Sequence, residues 1–323
     1  MIDYIVVGSG WRAEFYIRIA ALAPDKFKVK AVYARNKERA SYISEKYKVK
    51  VTGTLEEALK EEFDFVVDCI NKADVSDFAV SLADKGYYVL SETPVTKMPE
   101  GEHEFDKIQV AEQFHLKGTY KAIKKVIDMG IIGKINNIEI SAAHDYHAMS
   151  LLRFLLDDYN KPEIFGEYSF NDELLRTNGR YGELEDKKLE ETKQIIKLFK
   201  FGKAAAIYNY NKEQYFSPIR KDRLLIRGQR GEIDNFRVGY YNKSDNYVES
   251  NIKLHKSGLL NGFYNEKITF EDKILYEFPF AAARLSEEET AIAECLEGMK
   301  KYILTGEELY SFERAYQDYK FIT

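Results

Sequence analysis

The chain has 323 residues, 45% hydrophobic and 31% charged, enough for about two domains that each bury a core. Its 48 basic and 53 acidic residues leave a net charge of -5, so no basic field attracts a polyanion, and nucleic-acid binding is disfavoured. No apolar run approaches the ~20 residues needed to span a bilayer, and the N-terminus enters a strand pattern directly, so a cytoplasmic protein without a membrane association is expected.

The opening stretch is the most informative. Tyr4-Ile5-Val6-Val7 reads as a buried strand and runs into Gly8-Ser9-Gly10-Trp11-Arg12-Ala13, after which Glu14 to Leu22 has helical character. This Gly-x-Gly-x-x-Ala turn is the arrangement a dinucleotide site needs. Gly8 permits the tight turn, Gly10 lets a pyrophosphate approach the backbone, and Ala13 lets helix and strand pack closely. Amides at the helix start then face the phosphates along the helix dipole. Gly8, Ser9, Gly10, Trp11 and Arg12 are the expected pyrophosphate residues.

Strand and helix patterns then alternate. Strands are expected at 28–34, 49–52, 63–70 and 87–91, and helices at 36–47, from Thr54, and at 76–85. Thr54 and Glu57 form a capping-box pattern at one of these starts. Alternation with short connections predicts right-handed crossovers and a doubly wound parallel sheet, a Rossmann-type α/β domain. At the end of the second strand, where an NAD site usually carries an acid, the chain has Arg35 and Lys37. A guanidinium pairs with a 2′-phosphate, which a carboxylate would repel, so NADP(H) is preferred over NAD(H). The alternative is that Arg35 simply begins a solvated helix. Asn71, just past the fourth strand, is expected to border the cofactor ribose.

From about residue 134 the pattern changes. The segment 192–201, the Gly202-Lys203 turn and 204–210 read as a hairpin, and 224–226 and 236–238 flank another Gly-containing loop. An antiparallel meander with a helix after His147 and closing helices from Ser286 predicts an α+β second domain with a mostly antiparallel open sheet. The charge run 183–191 is expected to be a solvated loop. Most of the 24 Tyr and 20 Phe should be core or subunit interface, with a minority available to a ring-binding pocket. Cys69 and Cys295 read as buried free thiols.

At Ser91-Glu92-Thr93-Pro94 the chain resembles the glucose–fructose oxidoreductase, inositol dehydrogenase and MocA family, in which a Glu-Lys-Pro motif closes the nucleotide domain beside the nicotinamide. The resemblance continues through 120–135, 225–233 and 308–318. It implies a nucleotide domain at 1–118 and a substrate-binding, oligomerising domain at 119–323. It further implies hydride transfer on a small substrate in the cleft between them, and a homo-oligomer, dimer or tetramer. Glu92 and Thr93 then border the ribose and nicotinamide. Two departures fall on the chemistry: the motif lysine is Thr93, and the family's aspartate four residues before the catalytic histidine is Ala143, ahead of His147.

His147 is therefore the expected acid/base. It lies in His144-Asp145-Tyr146-His147, where an imidazole can exchange a proton near neutral pH, Asp145 can orient a histidine and Tyr146 can donate to developing negative charge. Against this stands the plain alternative of a capped helix start with polar residues. Lys97, four residues past Thr93, is a candidate for the missing charge, with His115 and Lys117 behind it. A metal site is not expected, because two histidines lack a further ligand cluster. The expected function is NADP(H)-dependent hydride transfer to or from a small carbonyl, imine or sugar-like substrate. The alternative is a nucleotide-binding protein without net redox turnover, either a regulatory partner or an enzyme using a tightly bound nicotinamide transiently. A sugar-binding module with a vestigial site is a third.

Overall fold

The computed structural model describes residues 1–101, 103–259 and 262–322. The chain divides into two compact units: Met1–Gly118 with Lys256–Glu266 and Phe278–Phe321, and Thr119–His255 with Lys267–Glu277 and Ile322–Thr323.

In the first unit β1 (Ile2–Val7), α1 (Trp11–Leu22), β2 (Phe27–Tyr33), α2 (Lys37–Tyr47), β3 (Val51–Thr52), α3 (Leu55–Ala58), β4 (Phe65–Asp68), α4 (Val75–Ala83), β5 (Val89–Ser91) and β6 (Ile108–Val110) follow in order. The six strands form one sheet in the order β3-β2-β1-β4-β5-β6, parallel throughout, as the alternation predicts. Tyr4, Ile5, Val6 and Val7 are buried on both faces, which is why β1 reads as an unbroken apolar run. β6 escaped the sequence reading because it is only three residues long. Thr54 caps α3 by accepting the Glu57 N–H at 3.3 Å, but the helix it starts is one turn long.

The second unit contributes α5 (Gly118–Asp128), β7 (Ile135–Ser141), α6 (Tyr146–Leu156), β8 (Glu163–Gly179), β9 (Gly182–Phe201), β10 (Ala204–Asn211), β11 (Arg223–Gly228), β12 (Gly231–Asp234), β13 (Arg237–Tyr241), β14 (Tyr247–Ser257), β15 (Tyr264–Phe270) and β16 (Lys273–Glu277). They form a ten-stranded, mostly antiparallel sheet in the order β16-β15-β14-β13-β12-β11-β7-β10-β9-β8, in which β7 and β10 run parallel. The fold is thus a Rossmann domain plus a second domain with a mostly antiparallel sheet.

The charge run 183–191 is not a loop. It lies within β9, paired along its length with β8, from Gly179↔Gly182 to Glu163↔Lys200. The residues are solvated as expected, yet ion pairs such as Arg176–Glu190 (3.1 Å) let a charged ribbon form without an apolar core on both faces. Charge content hid the strand.

After β16 the chain continues in α7 (Glu287–Thr305) and α8 (Phe312–Ile322). Ser286 and Glu289 make a reciprocal capping box at the start of α7, and Gly306 (φ 74°) ends it. The 119–323 reading grouped this segment with the second domain, whereas residues 278–321 fall in the first unit. The reason is packing. Ile292, Cys295, Leu296 and Met299 of α7 share a core with Tyr4, Val6, Tyr16 and Phe65.

Candidate functional site

The turn after β1 is built for close approach. Gly8 has φ 122°, a region L side chains avoid, and a Cβ there would stand 2.5 Å from the Cys69 carbonyl oxygen at the end of β4. Gly10 differs. Its backbone is extended and a Cβ would meet nothing within 4 Å, so the protein's own packing leaves open space beside the first turn of α1. That space borders the N-terminus of α1, the end of a helix whose dipole favours an anion. Ser9 belongs to the same turn, and its carbonyl accepts the Arg39 Nε–H at 2.9 Å.

Arg12 does not extend from this turn into solvent. Its guanidinium lies 3.1 Å from Glu288 and 3.6 Å from Glu92, packed near the rings of Trp11 and Phe15 at 5.2 and 5.3 Å. Glu92 is buried and accepts from the Tyr16 hydroxyl (2.5 Å) and the Thr93 N–H (3.3 Å). Glu288, at the start of α7, also holds Lys117 (2.7 Å) and accepts from the Gln113 amide (2.9 Å). The result is a largely buried chain, Tyr16–Glu92–Arg12–Glu288–Lys117, in which Lys117 also sits 3.9 Å over the Phe114 ring.

The two carboxylates of this chain are pushed apart. Burial raises Glu92, with Arg12 only partly opposing it. Burial acts on Glu288 too, but Lys117 and Arg12 outweigh it and lower it from its ordinary 4.5 to about 2. Asp68, at the end of β4, is raised by burial, which a hydrogen bond from the Glu92 backbone only partly opposes. A fixed anion, Glu288, thus stands near two carboxyl groups whose neutral forms are favoured by burial. Because its folded pKa lies below the unfolded one, Glu288 contributes stability above about pH 4.5 that is lost as pH falls toward 2. The contribution is about 3 kcal/mol. Glu288→Gln should therefore show a shallower loss of stability than the wild type between pH 4.5 and 2 in acid-unfolding curves.

Arg35 follows β2, and Asn36 caps α2 by accepting the Arg39 N–H at 2.9 Å. Arg35 and Lys37 line an open cleft of about 420 Å³ with Ser41, Ser44, Thr52 and Gly53. Arg39, missed in the sequence, ties Ser9 to Glu14 and lies 4.7 Å over the Tyr42 ring. It looks like any surface helix cation in the sequence, since only the fold brings α2 to the glycine turn. Asn71 closes the turn into α4, its Oδ1 accepting the Ala73 N–H at 3.3 Å. Lys97 is tied to Asp77 on the exposed side of α4 at 2.6 Å, so it does not join the Glu92 chain.

In the second unit, His147 begins α6 and is 2% exposed. Its ring lies 4.3 Å from that of Tyr146 and 4.8 Å from that of His144. Ala143 is buried, so no carboxylate occupies the position four residues before it. The residues preceding α6 are held by Tyr208, whose hydroxyl accepts the Asp145 N–H at 2.9 Å. Burial, then Asp145, push the Tyr208 phenol up, and burial, then Asp222, do the same for Tyr210, so both stay protonated. The His144–His147 cluster is thus neutral-donor-rich and aromatic.

Residues 2–113 match the model of an oxidoreductase family, described as having an NAD-binding Rossmann fold. A search of curated proteins found no match. Among solved structures, the chain is similar to levoglucosan dehydrogenase in complex with NADH and levoglucosan, at 14% identity over 98% of this chain and 94% of that one, with TM-score 0.62. It is similar to a putative myo-inositol dehydrogenase from Sinorhizobium meliloti, at 14% identity over 99% and 94%, TM-score 0.59. It is also similar to a putative NADPH-dependent oxidoreductase from Desulfitobacterium hafniense, at 15% identity over 98% and 92%, TM-score 0.60. At these identities the likeness establishes the fold. Among the described residues no helix is long and apolar enough to cross a membrane.

Proposed function

We propose, from the premise that the chain belongs through residues 2–113 to the Gfo/Idh/MocA family of oxidoreductases, that it is an NADP(H)-dependent enzyme acting on a small carbonyl, imine or sugar-like substrate. The observation that carries this is the empty space at Gly10 beside the first turn of α1, a cradle the protein's own packing does not require. When bound there, the nucleotide supplies or accepts a hydride at its nicotinamide ring. The turn from Gly8 to Arg12 binds the diphosphate through backbone amides, and the Arg12 side chain holds Glu92 in place. Asn71, Glu92 and Thr93 border the ribose and nicotinamide. His147 holds and releases the proton at the substrate oxygen or nitrogen, with Tyr146 as an auxiliary donor.

Arg35 and Lys37 support the preference for NADP(H). Relatives include both an NADH complex and a protein named as NADPH-dependent, so the fold accommodates either nucleotide. NADPH should bind about tenfold more tightly than NADH, and Arg35→Ala should erase most of that difference in fluorescence titrations. Equal or tighter NADH binding overturns the preference. With a substrate found from a carbonyl panel, His147→Ala should slow single-turnover hydride transfer by about 10²–10⁴-fold while nucleotide affinity holds.

A second reading rests on Thr93, Ala143 and the Lys97–Asp77 pair, which together leave the usual lysine and aspartate unreplaced. In it the nucleotide is bound without net redox turnover. Binding of NADPH without decay of reduced-nicotinamide absorbance across the panel favours it. We also infer self-association through the second unit. Ile164, Phe165, Tyr168 and Phe170 of the edge strand β8 are exposed, a row of apolar side chains suited to a second copy. Light scattering should give a dimer or tetramer, and Tyr168→Lys should lower the mass.

A further inference from the structure

We propose that His144, Tyr215 and Gln214 join His147 in one proton-holding site. In it two imidazoles share a single proton, a phenol links them to solvent, and a buried amide keeps the phenol in place. The proposal deepens the oxidoreductase reading, on which its purpose rests.

Three independent features converge on this cluster. The first is backbone strain. Asp145 has φ 45° and ψ -126°, a conformation that costs a non-glycine residue about 1–3 kcal/mol. It is maintained by its N–H bond to Tyr208, a fully buried side chain stacked on Tyr210. The reversal at Asp145 lets residues on either side of a helix start bring their rings edge to face, with His144 and His147 at 4.8 Å and 85°.

The second is enclosure. The His144 ring has Tyr146 at 5.9 Å, Tyr210 at 6.3 Å and Tyr215 at 5.6 Å besides His147. The third is a clamp. Gln214 is buried and bonds Ser141 twice, its Nε2 donating to the Ser141 carbonyl (2.5 Å) and its Oε1 accepting from the Ser141 hydroxyl (3.2 Å). Ser141 ends β7, so the clamp fixes the 214–216 turn beside the start of α6. It sets Tyr215, 42% exposed, next to His144, while His147 remains 2% exposed. Gln214 is a positioning residue.

Two imidazolium rings this close repel, so protonation of one ring disfavours protonation of the other. The charged and titratable groups around it are Asp145 before α6, Tyr146 on α6, Tyr208 and Tyr210 on β10, Glu213 and Tyr215 in the following turn, and Asp222 beyond it. The carboxylates favour the first protonation. Release to a substrate oxygen breaks one imidazolium N–H bond, forms one O–H bond and leaves the pair neutral. Recovery runs through Tyr215, whose phenol gives its proton to His144 as it takes one from a hydronium ion or buffer acid in solvent, which is left as water or the buffer's conjugate base. A shared proton thereby replaces the histidine–aspartate pair that Ala143 precludes.

The test is an NMR titration of the full-length protein carrying ¹³C at the histidine Cε1 positions, with the five histidines assigned by single substitution. His144→Asn should raise the His147 midpoint by about 0.5–2 pH units as the repulsion is removed. Tyr215→Phe should move the His144 midpoint by more than about 0.3 unit, and Gln214→Ala should move it the same way. If His144→Asn does not fold, the wild-type curves decide, because a coupled pair titrates both rings in two steps. A His147 curve unchanged within about 0.2 unit in His144→Asn, simple one-step wild-type curves for both rings, or no response to Tyr215→Phe overturns the proposal. NADPH binding on the same samples separates the two readings: absent binding with coupled histidines sinks the nicotinamide assignment and leaves the pair standing.

Discussion

Arg12→Ala should lower stability by about 3–5 kcal/mol, the cost of leaving buried carboxylates without their cation. The substitution strips a partner from Glu288 at 3.1 Å and from Glu92 at 3.6 Å. Lys117 still neutralises part of Glu288. Glu92 is better placed to escape, since its pKa is already raised by burial and it can take up a proton. The loss should accordingly shrink as pH falls, as protonation removes the unpaired charge. Arg12→Lys should recover only part of the loss, because an ammonium is a point charge and cannot reach both acids as a guanidinium does. Thermal denaturation gives the readout, with a fall in Tm on the order of 10 °C for Arg12→Ala. A variant melting within about 2 °C of the wild type at pH 7 would show that the chain of charges carries no stability.

Gly10→Val should have the opposite signature, a large loss of nucleotide affinity with the fold intact. Position 10 has an ordinary extended backbone and space around a Cβ, so the structural cost is a weaker helix cap, under about 1 kcal/mol. The added isopropyl group fills the volume a diphosphate needs, and affinity for NADPH should fall by at least about 30-fold, corresponding to about 2 kcal/mol. Gly8→Ala reverses the balance. With φ 122° and a Cβ at 2.5 Å from the Cys69 carbonyl, it should cost about 2–4 kcal/mol of stability before binding is considered. Calorimetry of both variants, with and without NADPH, separates a glycine required by a ligand from one required by the protein. Undiminished NADPH affinity in folded Gly10→Val would refute the cradle.

Most of the first sheet was legible because each parallel strand is a short apolar run followed by a helix, and local pattern is enough to read that. The elements that escaped lack that apolar-run pattern. β6 has three residues, and β8 with β9 carry charge where a strand normally carries apolar alternation, so their pairing is visible only once both are seen together. The site divides along the same line. Gly8 and Gly10 announce themselves, while Glu288 stands 276 residues from the arginine it holds, within a glutamate-rich helix start that reads as ordinary dipole compensation. Arg39 and Gln214 were equally silent, because their partners Ser9 and Ser141 are bonded through the backbone. Thr93 and Ala143 were legible as gaps, but what stands near those gaps needed coordinates.

The return of α7 to the first unit makes that unit discontinuous along the gene. While the ribosome is still making the long sheet, Tyr16, Phe65 and their neighbours wait for Ile292, Leu296 and Met299 to complete their core. A fragment ending at residue 118 would expose that surface and lose Glu288 as well, and should be recovered insoluble when expressed alone. Attaching residues 278–322 through a flexible tether should restore it to solution.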